Sequence, residues 1–412
     1  MSGIGACLGP GMMLAAVAVG VSHLVHATRA GADYGLSFTW LVVLIVVLKY
    51  PAFRFAVDYA GATGRSLVSG FSNHSRLATG WLALAFFVDM FISSGAVALV
   101  TAGLLISVFD LPFTGPQVAV ALMVFTAIVL LNGHYAKAER IVKWLVVVFS
   151  VLSVTTLVFA LPLLGSDGRE LFAEVTPDRS VAIFVIAVAG WMPMPMTGAI
   201  FQSVWLSEKR RSGSAGFDHL RALQDLRFGY SLTLILAICF LVMGTAVLFQ
   251  AGRELPDNAG AFAADLLRIF TVVIGDWSYP VVAAAALAVM WSTLIALMDA
   301  LPRASDRVLG IVTGRAPDAP GRYTRFLLLQ VAGVSFILLF MMRGFGAFVD
   351  FAASTAFIAA PALAWYAYRS VTAAEIGPEF RPGRLLTAWS WLSVIMLSVF
   401  ALSYLLLRLF GD

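Results

Sequence analysis

The feature that most constrains this chain is an apolar run of membrane length, Ala187 to Trp205 (AVAGWMPMPMTGAIFQSVW), with two prolines near its centre. Pro193 and Pro195 each lack a backbone N–H and each clashes with the preceding helical turn, so no continuous helix passes through Trp191 to Met196. Irregular backbone at bilayer depth survives only where it is buried in protein or lines a cavity. Secondary transporters hold their substrates in such cavities, near the membrane midplane. In an extended break, residues two apart share a face, which predicts that Met192, Met194 and Met196 form one polarizable thioether wall. The competing reading is a plain proline kink filled by methionine.

The rest of the chain supports a membrane setting. Of 412 residues, 60% are hydrophobic and only 12% are charged, and the mean hydropathy is +0.91. That composition excludes a soluble globular domain and describes an all-α polytopic membrane protein whose partner is the lipid bilayer. The formal net charge of +4 resides in short loops, so it is a signal of orientation and not of nucleic-acid binding. Cys7 and Cys239 are far apart in apolar surroundings and imply no disulfide framework. The first apolar run lacks the basic flank of a cleaved leader. Phosphate loops, metalloprotease helices and nucleophile elbows are absent from the sequence, so neither an enzyme nor a bound cofactor is expected.

Apolar runs at about 12–32, 36–60, 79–108, 116–133, 141–164, 181–206, 228–250, 262–301, 326–342, 346–368 and 386–410 predict eleven spans. The eighth run is too long for one crossing, and Phe262 to Gly275 is expected to form an outer amphipathic segment or the start of a tilted helix. Every second loop is basic: Lys49, Arg54, Arg65 and Arg76 follow span two, and His134, Lys137, Arg140 and Lys143 follow span four. Lys209, Arg210, Arg211, Arg221 and Arg227 follow span six; Arg303, Arg307, Arg315, Arg322 and Arg325 follow span eight; Arg369, Arg381 and Arg384 follow span ten. The loop before span six carries Asp167, Glu170, Glu174 and Asp178. This alternation predicts an inner (plasma) membrane protein with a cytoplasmic N-terminus and the C-terminus outside. Span one, interrupted around Gly20-Val21-Ser22, and span six, interrupted at its prolines, are five spans apart and enter from opposite sides. That is the signature of an inverted five-plus-five repeat, with 1–370 as a ten-span core and 371–412 carrying an added eleventh span.

Ionisable residues inside spans are the candidates for chemistry. His23 and His26 lie three apart on one face of span one. His23, beside the interruption, is a candidate ligand; His26 is a candidate proton carrier or a structural hydrogen-bond donor. Asp89 is a lone carboxylate deep in span three (FFVDMFISSG) and the best candidate for a proton relay. Arg29 and Asp33 have i,i+4 spacing and are expected to pair. Asp299, Arg303 and Arg307 follow helical spacing at the inner end of span eight, as a gate-like network or a plain helix end. Asp350 is read as a charge at the start of span ten.

On Gly9-Pro10-Gly11, Ala30-Gly31-Ala32 with Tyr34-Gly35, Thr63-Gly64 and the Met-Pro break, the chain resembles the natural resistance-associated macrophage protein family. The resemblance implies proton-coupled transport of divalent metals on the leucine-transporter fold. The departures fall on the site itself. The family's Asp-Pro-Gly-Asn motif lines up on Gly20-Val21-Ser22-His23, so the metal-binding aspartate position holds Gly20 and the asparagine position holds His23. Its Met-Pro-His motif lines up on Met192-Pro193-Met194 or on Met194-Pro195-Met196, and either way methionine replaces histidine. Asp89 resembles the family's span-three aspartate, Ile92 stands where a further acidic residue is expected, and Ser354 stands for the span-ten glutamine.

A hard divalent ion needs anionic oxygen ligands to offset its dehydration, whereas imidazole, thioether and carbonyl groups suit softer ions. The sequence therefore predicts a metal transporter with an altered site. That site is Gly20, Val21, Ser22, His23, Trp191, Met192, Met194 and Met196, with His23, Met194 and Met196 as metal ligands and Asp89 and His26 as the proton relay. The alternative on the same fold is a small organic solute held by Trp191, Ser22 and exposed backbone, and a third reading is a sensor or assembly subunit.

Overall fold

The structure is a computed structural model that describes residues 14–410 apart from 16, 133–134, 166–169, 212–217, 254, 315–320 and 343. Cys7, Gly9-Pro10-Gly11, His134, Asp167 and Arg315 lie outside the described residues, as do the side chains of Lys137, Arg140, Lys143 and Arg211. The described residues are helical except for turns and one isolated bridge between Gly35 and Phe172. Eight helices among them are long and apolar enough to cross a membrane: Leu36–Thr63, Arg76–Phe109, Val146–Leu163, His219–Phe249, Asp276–Thr313, Arg322–Met341, Phe345–Val371 and Arg384–Leu407. Two shorter apolar helices, Gly115–Leu131 and Arg179–Trp191, fall at the places expected for spans four and six. The segment through Ser22–Ala27 and Thr28–Tyr34 falls at span one.

Three local features differ from the sequence expectation or resolve it. The long eighth run divides into a separate amphipathic helix, Ala259–Ile274, and span eight proper, Tyr279–Thr313. Gly275, at φ 97°, makes the turn between them, a left-handed conformation that glycine adopts without steric cost. The second correction concerns Lys49, which is not in a basic loop. It is fully buried within helix Thr39–Thr63, because that helix runs on for nearly four turns beyond it. The third is span one, whose interruption is narrow: the chain turns at Val19 and Gly20, then resumes as a wide π-helical stretch over Ser22–Ala27.

The break in span six is as expected. Helix Arg179–Trp191 stops, Met192 to Met196 are irregular with a cis Met192–Pro193 peptide, and Thr197–Arg211 resumes. The carbonyls of Gly190 and Met194 lose their usual i+4 donors, and Pro193 O faces the same deficit because the helix restarts at Thr197. Side chains from other spans replace those donors, as set out below.

Spans one, two, six and seven form the inner bundle, with Phe345–Ile358 of span ten laid against Arg179–Trp191 and span seven laid against span one. The outer faces of spans four, five, nine and eleven carry exposed apolar side chains, among them Phe125, Val151, Phe340 and Leu405, as a lipid-facing surface requires. Close approach of backbones is enabled by glycine. A Cβ on Gly190 would strike the backbone carbonyl of Ala353, and one on Gly31 would strike that of Leu241. Gly190→Ala should therefore cost about 1–3 kcal/mol by overpacking, read as a lower midpoint of thermal unfolding in detergent. Gly80→Ala, where a Cβ meets nothing within 4 Å, should leave the midpoint unchanged or raise it. Equal midpoints for the two variants would show that the span-six and span-ten backbones are not held in contact.

Candidate functional site

Where the interrupted parts of spans one and six meet spans three and eight, they enclose a space of about 40 Å³. Its wall includes Val21 and Ser22 of span one, Asp89 and Ser93 of span three, Trp191, Met194, Pro195 and Thr197 of span six, and Thr293 of span eight. Asp89 is the acidic group of this wall. It is buried, and it sits at the start of a π-helical stretch, Asp89–Ser93, that widens span three there. Its carboxylate accepts from Ser93 Oγ at 2.8 Å and from Thr197 Oγ1. Thr197 is the first residue of the resumed helix in span six, so this bond ties span three to the edge of the break. Among the described residues no cation forms an ion pair with Asp89.

The irregular backbone is held from two directions. Ser22 Oγ lies 2.9 Å from the Pro193 carbonyl and 2.8 Å from that of Ala18, within donating distance of both. On the opposite side, the buried Nζ of Lys49 donates to Gly190 O at 2.7 Å and to Met194 O at 3.1 Å. The break is thus stabilised by one hydroxyl and one lysine nitrogen from neighbouring spans.

The structure brings together Val21, Ser22, Trp191, Met194 and Asp89 at the cavity wall. It separates the others. Gly20 packs against Thr293, where a Cβ would come within 3.2 Å of the threonine methyl. His23 is fully buried and faces away from the cavity: Nδ1 lies 2.7 Å from Ala18 O, and Nε2 lies 2.9 Å from Thr233 O on span seven. Ser22 Oγ also lies 2.9 Å from Nδ1, so both ring nitrogens face groups of spans one and seven and neither is directed at the cavity. Met192 and Met196 are buried but do not line the cavity, so the three-methionine wall is reduced to Met194 with Pro195 beside it. Because the Met192–Met196 segment turns instead of running straight, residues two apart do not share a face.

His26 lies one step from the cavity. Its ring packs edge-on against Trp191, with centroids 5.7 Å apart, and neither ring nitrogen has a hydrogen-bond partner within the described residues. Nδ1 is 3.9 Å from Asp350 Oδ1, and Asp350 accepts from Arg29 at 2.7 Å. Arg29 is only 4.0 Å from Asp33, so its closer partner is on span ten and not on its own helix. At the other end of the bundle, Arg303 pairs with Asp299, which also accepts from Tyr323 OH, and Arg307 pairs with Glu208 across spans six and eight. These contacts join spans six, eight and nine. Ser354 of span ten is buried without a hydrogen-bond partner among the described residues and is not part of the cavity wall.

Four residues of this arrangement escape a reading of the sequence. Ser93 is one helical turn from Asp89, a signal that was there to find; Thr197 and Thr293 carry none. Lys49 is the one charge in an otherwise apolar stretch, TWLVVLIVVLKYPAF, and that isolation is its signal. Among the described residues no three of His, Cys, Asp and Glu converge. The donors available to a cation at the cavity are the Asp89 carboxylate, the hydroxyls of Ser22, Ser93, Thr197 and Thr293, and the Met194 sulfur.

Comparison with known proteins places this geometry. An uncharacterized protein of Pasteurella multocida (strain Pm70) is 27% identical over 396 residues, covering 95% of this chain and 89% of that protein. Among solved structures, a mutant of the Eremococcus coleocola manganese transporter is similar at a TM-score of 0.65 with 16% identity, over 98% of this chain and 87% of that one. Mhp1, a nucleobase-cation-symport-1 family transporter, closed with bromovinylhydantoin bound, is similar at a TM-score of 0.56 with 15% identity, over 96% of this chain and 87% of that one. These likenesses establish the leucine-transporter fold for the bundle, broken spans one and six included. The family model described as natural resistance-associated macrophage protein-like matches residues 11–407, nearly the whole chain, and the chain belongs to that family.

Proposed function

We propose that this protein is a secondary transporter that moves a metal cation across the inner membrane by alternating access, with Asp89 as the carboxylate that receives it. The observation that carries this reading is the size of the cavity together with its acid. About 40 Å³ holds an ion or one or two waters, whereas organic ligands of drug size fill pockets of roughly 300–1,000 Å³. Family membership and the manganese transporter named above point to the same class of substrate. The ligands are Asp89, Met194 and the surrounding hydroxyls, with His23 reassigned from ligand to a donor that anchors span one to span seven.

Proton coupling is part of the proposal. Asp89 faces the cavity, Trp191 separates it from His26, and His26 lies beside the Arg29–Asp350 pair. In the orientation given by the basic loops, that pair is at the outer end. A proton entering there reaches Asp89 by way of His26. The transport core is residues 1–370, and the eleventh span in 371–412 is an addition to it, with the N-terminus in the cytoplasm.

The direct test is thermal stabilisation of the purified protein across Mn²⁺, Fe²⁺, Zn²⁺, Cu⁺ and Mg²⁺, with Asp89→Asn beside the parent. Stabilisation by at least one ion that is lost in Asp89→Asn is expected; a site occupied at 100 times its Kd is worth about 2.7 kcal/mol. A flat response to all five ions, with stabilisation by small organic solutes, would transfer the site to the alternative substrate class. Coupling is checked in proteoliposomes carrying an internal pH dye. Metal addition should acidify the lumen of parent vesicles, and His26→Gln should reduce proton entry more than metal entry. Equal losses of both fluxes in His26→Gln would leave His26 a packing residue.

A further inference from the structure

A charged group at bilayer depth is costly unless it is paired, and among the described residues Lys49 is paired with no acid: its Nζ is bonded to the backbone carbonyls of Gly190 and Met194. Those two oxygens are a consequence of the break in span six. In an unbroken helix Gly190 O would accept from the N–H of residue 194, and Met194 O from that of residue 198; here Gly198 N–H donates instead to Pro195 O at 2.9 Å. Carbonyls released in this way, together with the negative end of a half-helix, are the groups with which broken membrane helices hold cations. Helix Arg179–Trp191 ends at this point, so its C-terminal dipole is directed at the ammonium. A neutral donor such as glutamine or serine would satisfy a carbonyl at lower desolvation cost. The position instead carries the side-chain nitrogen of a lysine, donating to both carbonyls.

We propose that Lys49 is a tethered cation: it occupies carbonyl oxygens that the break would otherwise offer to an ion, and its charge restricts the cavity to a monovalent metal cation. The inference rests on the reading of the cavity as a cation site. Met194 joins the two features, since its carbonyl binds Lys49 while the same residue lines the cavity beside Asp89. Asp89 contributes one negative charge and Lys49 one positive charge, so the site has no net charge to offset the dehydration of a hard divalent ion. A soft monovalent ion needs less compensation, and the Met194 sulfur suits it. Lys49 is thus a specificity-determining residue that acts through the backbone of span six.

The test compares the parent with Lys49→Met, Lys49→Gln and Lys49→Arg, each heated in detergent with Cu⁺, Mn²⁺ or Zn²⁺. The parent is expected to be stabilised by Cu⁺ at lower concentrations than by Mn²⁺ or Zn²⁺. Both uncharged variants should respond to Mn²⁺ or Zn²⁺ at concentrations lower by a factor of about ten or more, as removal of a nearby like charge requires. Lys49→Arg should keep the order of the parent. If the uncharged variants keep the ion order and concentrations of the parent, Lys49 is only a structural donor and the proposal is overturned. If neither uncharged variant folds alone, Mn²⁺ or Zn²⁺ present during solubilisation should restore the folded yield, and no restoration overturns the proposal equally. Failure of the underlying cation reading is separate: it appears as a parent that ignores every ion, whereas a divalent response gained in Lys49→Met still identifies the ammonium as the group excluding those ions.

Discussion

The structure depends on a deficit of backbone donors in the middle of span six. Two prolines, three and five residues after the last helical glycine, leave the carbonyls of Gly190, Pro193 and Met194 without helical partners, and at bilayer depth no bulk water can replace them. The bundle supplies the partners from elsewhere: Lys49 from span two and Ser22 from span one. The same contacts that satisfy the break therefore fix spans one and two around it. Asp89 then joins span three to the resumed helix through Thr197. The cavity is what remains between these ties, and its polar character follows from them.

Charge in this protein is concentrated at three levels. Near the Tyr34 end of span one, Arg29 bridges to Asp350 of span ten and lies over the Phe184 ring, 5.2 Å from its centroid. At the opposite end, Asp58 accepts from Arg54 and approaches His219 Nε2 at 3.2 Å, Arg322 pairs with Asp306, and Arg307 with Glu208. Between the two ends lie Asp89 and Lys49, both buried. Arg29–Asp350 ties span one to span ten and Arg307–Glu208 ties span six to span eight, so these pairs join different helices. Arg54–Asp58 lies within one helix.

Membership of the natural resistance-associated macrophage protein-like family sits beside the alignment that the resemblance implies, in which Gly20 stands at the aspartate position of span one. In span two, Lys49 donates to the carbonyls of span six. Asp89 is left as the acidic group of the cavity wall. The fold tolerates this because its breaks are held by backbone satisfaction, which any suitably placed donor provides, and not by the substrate.

The sequence alone determined the membrane class, the order of the spans, the break in span six and the burial of Asp89 within span three. Hydrophobic length, proline chemistry and the cost of a charge in lipid are properties of local sequence, and they do not depend on which spans become neighbours. It also marked the segment before span eight, now a separate amphipathic helix, by its excess length. What it could not decide was direction. His23 stands next to a break in the sequence yet points to Thr233, Met192 and Met196 alternate with Met194 yet leave the wall, and Lys49 reads as a loop cation yet lies buried against span six. Which way a side chain faces on a membrane helix depends on rotation about the helix axis and on the partners found there. Both are set by packing between spans that are 145 residues apart for Lys49 and Met194 and 210 apart for His23 and Thr233, and only the tertiary structure fixes them.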